Sequence, residues 1–331
     1  MPPAALIWQS RNLPSLPFMF SPVTDFLIAA FSRDFSPVTF GSGTKRNHSA
    51  AFHANVSTLR RGDVFVWVGP SMAQAPWSEL GARGVRRIVY QTEPVHYCAA
   101  RCVGRYAVDE LWDFSHHNLE ACQPAVAPEA PKVLRYVPPG AVLGDAPLLR
   151  APSSSSSSSF SDLQATRAAV QQPLFFFGNP SDGRSRKACF NTIRKLLGER
   201  LEFTFAAFNE ERWHSTVLSR SNIFLNLHKD CSEPHNPITF RVPKLVDSGR
   251  LVLSERAHLA DEREWEGIVL FYDNVSSLAE GYLDLIATGA WVEKAKAANA
   301  AFKRRFSPAR IFRRAGIVED LVRGRSAATK A

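Results

Sequence analysis

What this 331-residue sequence lacks narrows it first. It has five cysteines, Cys98, Cys102, Cys122, Cys189 and Cys231. An odd number spread over a long chain does not make a disulfide framework. Cys98 and Cys102 are spaced to share a helix face, but no second pair of that kind follows, so a structural zinc site has little support. Cys189 falls on an apolar helical stripe and is expected in the core. A zinc set of His228, Cys231 and His235 meets no tetrahedral spacing signature. No GxxxxGK followed by Ser or Thr occurs, which excludes a P-loop. No GxSxG elbow occurs, which removes that form of serine hydrolase. The N-terminal stretch has no charged segment followed by an unbroken apolar run, so a secretory signal is not expected. Phe18–Phe31 is too short, and too interrupted by Pro22, Thr24 and Asp25, to span a bilayer. The expected location is cytoplasmic, or peripheral to a membrane.

Hydrophobic residues make up 45% of the chain and charged residues 21%, ordinary values for a globular protein. The length suits one large or two ordinary domains. The net charge is +9, and its distribution matters more than its sum. Lys303–Ala331 holds nine basic residues against Glu319 and Asp320, and so carries most of the excess. A nucleic-acid binder more often spreads its cations over one face. Here they form a basic C-terminal tail over 307–331, expected to be solvated, with weak contact to an anionic surface or RNA as the alternative.

Short β-branched and aromatic runs alternate with helical stretches. Asp63–Gly69 (DVFVWVG), Arg87–Thr92 (RIVYQT), Glu110–Phe114 (ELWDF) and Val133–Val137 (VLRYV) are predicted strands. Helices are predicted over Trp77–Gly84, over Tyr97–Arg105, and after Ser115 as N-cap. Residues 141–172 carry scattered prolines and seven serines at 153–159, and are predicted to be a flexible linker. Beyond it, strands are predicted at Pro173–Phe177, Leu201–Ala206, Ile223–Leu227, Leu251–Ser254 and Ile268–Tyr272. Helices are predicted at Arg184–Leu197, Asn209–Leu218, Thr239–Asp247, Val275–Ala287 and Ala290–Phe306. Alternation of this kind implies doubly wound parallel sheets. The expected division is a first domain over 41–140, the linker, a second domain over 173–306, and the tail. Residues 1–40 fit no clear element.

Open parallel sheets bind ligands beyond the carboxyl ends of their strands. After Phe177 comes GNPSDGRSRK, with Gly178 and Gly183 permitting tight turns and Arg184, Arg186 and Lys187 in the first helical turn. Cations there oppose the partial positive charge of a helix N-terminus. A bound phosphate would reverse that penalty. Asn226, His228 and Glu233 follow another strand, and Ser254 and Glu255 end a third. Arg241 opens the preceding helix. In the first half, Glu93, Ser115 and His116 follow strands. There is no Asp-x-Asp pair, which argues against a metal-bridged diphosphate site.

The ordered set of IFLNLHKDCSEP, ITFRVPKLVDSGRLVLSE and PLFFFGNPSDGRSRK, with RIVYQTEP, ELWDFSHHN and VLRYVPPG in the first half, resembles the GT-B glycosyltransferases. The nearest group is the spore-coat CgeB-like family, and the resemblance covers roughly residues 60 to 310. It implies an α/β chain of two Rossmann-like, doubly wound domains facing a cleft. It implies sugar transfer from a nucleotide-sugar, UDP- or GDP-linked, to an unknown glycan, protein or small-molecule acceptor, with no cofactor and no metal. Gly178, Asn179, Arg184, Arg186 and Lys187 would hold the diphosphate. Asn226, His228 and Glu233 would lie near the sugar, with His228 and Glu233 catalytic. Arg241, Ser254 and Glu255 would lie near the sugar or the nucleoside. Glu93, Ser115 and His116 would face the acceptor. One departure stands out. The resemblance implies a carboxylate three residues after Arg241, and this chain has Lys244. The alternative is a catalytically silent GT-B-like module serving as a binding or scaffold protein.

Overall fold

The computed structural model describes residues 3–11, 21–44, 50–69, 75–92, 108–122, 133–142, 172–181, 183–204, 217–228, 240–317 and 320. The chain divides into two compact units: Met1–Val142 with Arg305–Ala331, and Leu143–Arg304.

The first unit is built on six parallel strands in the order β2-β1-β3-β4-β5-β6. These are β1 (Ala5–Arg11), β2 (Val38–Thr44), β3 (Val64–Val68), β4 (Arg86–Tyr90), β5 (Glu110–Asp113) and β6 (Val133–Tyr136). The helices between them are α1 (Ser21–Phe31), α2 (Ala50–Thr58), α3 (Trp77–Ala82) and α4 (His116–Cys122). All five residues of β3, VFVWV, are buried. A strand covered on both faces reads as a continuous apolar run rather than an alternating one. Trp8, Phe52, Phe65, Trp67 and Trp77 pack ring against ring, from 4.6 to 6.3 Å between neighbouring centroids. All these contacts are tilted or edge-on, as the ring quadrupole favours.

Residues 1–40, unplaced from the sequence, supply β1, α1 and the start of β2. β1 pairs with β2 on one side and β3 on the other, so its short ALIW run is stabilised by neighbours rather than by its own length. The segment expected to be a solvated tail is also different. It opens with α10 (Pro308–Arg314), which has proline at its first helical position. Ile311 and Phe312 are buried, and the Phe312 ring meets Phe26, Phe31 and Trp112 at 5.2–5.9 Å. Arg310 and Arg313 point to solvent. The run is amphipathic, and its charge masks its apolar face.

A buried carboxylate joins this unit's strands. Glu110 accepts from Arg86, from Arg135 Nε at 2.7 Å and from Trp112 Nε1 at 2.8 Å. Arg135 also donates to the Ala315 carbonyl and to Asp320. The carboxylate thus spans β4, β5, β6 and, through Arg135, the C-terminal segment.

The second unit is a five-stranded parallel sheet in the order β11-β10-β9-β7-β8. The strands are β7 (Leu174–Phe177), β8 (Leu201–Thr204), β9 (Ile223–Asn226), β10 (Leu251–Glu255) and β11 (Val269–Tyr272). The helices are α5 (Arg184–Leu197), α6 (Arg241–Asp247), α7 (Leu259–Glu264), α8 (Val275–Thr288) and α9 (Trp291–Arg305). α5 has the bounds expected from its pattern, and buries Phe190, Ile193 and Leu197 against Phe176, Leu225 and Leu253. Asn299 donates to the Val246 and Asp247 carbonyls at 2.7 and 3.0 Å, capping the end of α6. Cys189 lies at the edge of the α5 stripe, half-buried, and is disulfide-bonded rather than a free core thiol. The helix expected at Tyr97–Arg105, most of that at Asn209–Leu218, and the linker over 143–171 lie outside the described residues.

Two outcomes follow. Removing one partner of a buried ion pair typically costs about 3–5 kcal/mol, so Glu110→Ala is expected to lower the unfolding free energy by that amount and to move the urea midpoint down in proportion. An unchanged midpoint contradicts the network. Thiol titration of the denatured, unreduced protein should find at most three free thiols, and five would contradict the Cys189 disulfide.

Candidate functional site

The strand order of the second unit marks a candidate ligand site. The chain leaves β7 for β8 on one side and then returns to β9 on the other. The carboxyl ends of β7 and β9 therefore flank the point where the connections diverge, the place where open α/β sheets bind ligands.

Gly178 and Asn179 leave β7 there. Gly178 has φ +155°, and a Cβ on it would sit 2.6 Å from Arg241 Nη1 and 3.0 Å from Phe176 Cζ. The close approach lets Arg241 donate to the Phe177 carbonyl. Asn179 Oδ1 accepts from Ser181 N at 3.0 Å and shapes the following turn. Gly183, at φ +89°, is the N-cap of α5 and offers no side-chain acceptor. The first turn of α5 holds no acid. Arg184 and Lys187 are exposed and form no ion pair among the described residues. An uncapped, cationic N-terminus of a four-turn helix is a receptor for an anion, worth about 0.3–2 kcal/mol before the side chains are counted.

Arg186 behaves differently from its two neighbours. It is 6% exposed. Its Nε donates to the His228 carbonyl at 3.0 Å and its Nη1 to the Asn179 carbonyl at 3.4 Å. The spacing explains this: Arg186, Phe190, Ile193 and Leu197 share one stripe of α5 and all face inward. The Phe176 ring has the Arg186 guanidinium 6.0 Å from its centroid and that of Arg241 at 5.4 Å. Phe176 was legible only as a strand residue, because nothing in PLFFF marks its cationic neighbours.

His228 follows β9. Its N–H donates to Glu255 Oε1, the same oxygen that lies 3.2 Å from its Nδ1. That second approach has the distance of an ion pair without hydrogen-bond geometry, and neither ring nitrogen makes a hydrogen bond among the described residues. The ring is 2% exposed. A buried polar atom without a partner costs about 1–3 kcal/mol, a cost that a bound ligand can offset. Asn226 and Ser254 are fully buried and joined at 2.9 Å, and Ser254 Oγ donates on to the Glu255 carbonyl. Neither side chain reaches the surface. Lys244 is also buried, at 6% exposure. The expected site residues Gly178, Asn179, Arg186, Arg241, His228 and Glu255 thus lie together, with Arg184 and Lys187 on the adjoining turn. Glu233, Cys231 and His235 lie outside the described residues.

In the first unit, Ser115 is a cap. Its Oγ accepts from Asn118 N at 3.4 Å, while Asp113 Oδ1 accepts from Ser115 N and Asn118 Nδ2, each at 2.9 Å. His116 stacks on Tyr136 at 3.7 Å between centroids, and Arg314 lies 5.5 Å from the same ring. Burial, then Asp113 and Tyr136, hold the Tyr90 phenol well above its ordinary range. Glu93 lies outside the described residues. Among the described residues no group of three or more His, Cys, Asp or Glu side chains is placed to hold a metal, and no helix is long and apolar enough to cross a membrane. A recess of about 760 Å³ in the second unit is lined by residues from Arg256 to Lys294, among them Leu259, Phe271 and Tyr272. No residue of the β7–β9 rim lines it.

No family model and no curated protein matches the chain. Solved structures do. HepE of Anabaena, in complex with UDP-glucose, aligns at a TM-score of 0.56 and 14% identity, covering 96% of this chain and 99% of that one. The UDP-forming α,α-trehalose-phosphate synthase of Burkholderia vietnamiensis gives 0.59 and 12%, covering 98% of each chain. A glycosyltransferase of Rickettsia africae gives 0.52 and 7%, covering 96% and 99%. At these identities the likeness is one of fold. The chain has a GT-B-like α/β architecture of two Rossmann-like parallel-sheet units.

Gly178→Ala is expected to lower stability by about 1–3 kcal/mol, through its backbone conformation and the displaced Arg241. Chemical denaturation measures this, and a wild-type midpoint would contradict the role given to Gly178.

Proposed function

We propose that the chain is a glycosyltransferase that transfers a sugar from a nucleotide-sugar donor. The observation that carries this reading is the N-terminus of α5, uncapped, without an acid, and bearing Arg184 and Lys187 at the divergence point of a parallel sheet. A nucleotide-sugar breaks at the bond between sugar and diphosphate, and negative charge grows on the departing phosphate. Preorganised donors aimed at that charge lower the barrier. Backbone N–H groups of α5, the guanidinium of Arg184 and the ammonium of Lys187 supply such donors. The glycine-bounded turn at Gly178 and Asn179 lets the backbone approach the phosphates. Arg241 holds the end of β7, and His228 stands nearest the sugar, the part the resemblance also gives to Glu233.

Because fixed cations supply the positive charge, transfer proceeds without a metal. UDP is the first base to test, because the fold is shared with a protein whose structure holds UDP-glucose. The sequence resemblance to the spore-coat CgeB-like group supports the same reaction class. Ser115 and His116 mark the acceptor side only through their place beyond strands of the first unit. A second reading, a silent GT-B-like module, draws on one observation. Lys244 is buried where the resemblance implies a carboxylate.

The test is thermal unfolding with UDP, GDP, ADP and CMP, and their sugar conjugates, in EDTA. A ligand at ~100 times its Kd stabilises by about 2.7 kcal/mol. A shift with one nucleoside diphosphate is expected. The double variant Arg184→Ala, Lys187→Ala should lose at least about 1.5–3 kcal/mol of that affinity, the scale of one charge-assisted hydrogen bond. No shift with any nucleotide would favour the silent module.

A further inference from the structure

We infer that Arg186 and Glu255 are positioning residues that clamp the backbone of His228 on both sides of its Cα and present its imidazole to the ligand. The functional half of this inference rests on the proposed donor site, whereas the clamp itself does not.

The geometry is reciprocal. The His228 N–H is held by the Glu255 carboxylate, and the His228 carbonyl by Arg186 Nε at 3.0 Å. Both clamping side chains are buried, at 6% and 4% exposure. Their charges are opposite, and each is matched to the polarity of the group it holds. Charge-assisted bonds of this kind are roughly twice as strong as neutral ones. Arg186 has a second hold, on the Asn179 carbonyl at 3.4 Å, so one guanidinium ties the second residue beyond β7 to the second residue beyond β9. Glu255 ends β10. The ends of three adjacent strands therefore converge on one residue.

The imidazole of His228 makes no hydrogen bond through either nitrogen among the described residues, although it is 98% buried. Buried polar groups in native proteins are nearly always satisfied. Here the backbone of His228 is held by charges on both sides, while its ring turns Nδ1 toward the Glu255 carboxylate at 3.2 Å and leaves Nε2 without a hydrogen bond among the described residues. The arrangement fits a ring reserved for a ligand atom. It also separates the cations of α5 into two roles. Arg184 and Lys187 face outward and are available to an anion. Arg186 is engaged with backbone carbonyls, and a guanidinium has donors only, so its part is to fix the rim.

The first arm of the test needs no donor. Acylation of His228 by diethyl pyrocarbonate is followed by mass spectrometry in the wild type and in Arg184→Ala, Arg186→Ala, Arg186→Lys, Glu255→Ala and Glu255→Gln, each checked for folding by its unfolding midpoint. His228 is expected to be protected in the wild type and in Arg184→Ala. Its modification should speed up at least about tenfold in Arg186→Ala and Glu255→Ala, the equivalent of one lost charge-assisted bond. Glu255→Gln keeps an oxygen that can accept the His228 N–H and should restore most of the protection. Arg186→Lys serves where Arg186→Ala does not fold. It has too few fixed donors to span both carbonyls and should remain reactive. Wild-type protection of His228 in every folded Arg186 and Glu255 variant would overturn the clamp.

The second arm is a double-mutant cycle on UDP-sugar affinity. If Arg186 acts through His228, then Arg186→Ala combined with His228→Ala should be no weaker than His228→Ala alone, while Arg184→Ala combined with His228→Ala should be additive. Additivity of Arg186 with His228 would overturn the positioning role and make Arg186 a direct ligand. If the wild type binds no nucleotide-sugar, the proposed function falls and the acylation arm still decides the clamp.

Discussion

The guanidinium of Arg186 is the contact on which the candidate site depends. Carried on α5, it reaches the carbonyls of Asn179 and His228 and so fixes the carboxyl ends of β7 and β9 relative to the helix whose N-terminus faces them. A parallel sheet leaves its strand ends without hairpins to hold them. Their backbone carbonyls need donors from elsewhere, and burial makes an unmet one costly. An arginine on the inward stripe of the crossing helix meets two such carbonyls at once. The glycine at 178 then becomes necessary, because the chain must turn within a space already occupied by Arg241 and Phe176, and the glycine at 183 takes the positive φ of +89° at the N-cap of α5.

The first unit solves a similar problem with a carboxylate. Glu110 accepts from two arginines and an indole, and Arg135 extends the network to the C-terminal segment. The chain thus returns after α9 to complete the unit in which it began. Phe312 fills the space between Phe26, Phe31 and Trp112, which an exposed tail would leave open to water. The basic residues of α10 are the solvated side of a packed helix.

Much of this was legible beforehand, for physical reasons. Strands buried on both faces give unbroken apolar runs, and α5 shows its stripe through Phe190, Ile193 and Leu197. The alternation of such segments fixed the fold class. Three things were less legible. β1 has only the apolar run ALIW before Gln9, Ser10 and Arg11, and it is its pairing with β2 and β3 that shows it to be a strand. α10 hides two core residues among arginines. The direction of Arg186 was available in principle, because it lies four residues before Phe190, but a cluster of three cations reads first as charge and only second as periodicity. Asn226 and Ser254 show a contact that the sequence does not reveal. Their position at strand ends suggests ligand contact, and their mutual hydrogen bond buries both.

The most direct test is a crystal structure of the protein with a UDP-sugar. The account predicts a diphosphate at the N-terminus of α5, within hydrogen-bonding distance of Arg184 or Lys187, with a ring nitrogen of His228 against the ligand and Arg186 still on the carbonyls of Asn179 and His228. A diphosphate seated away from α5, or held directly by Arg186 with the His228 carbonyl released, would contradict it.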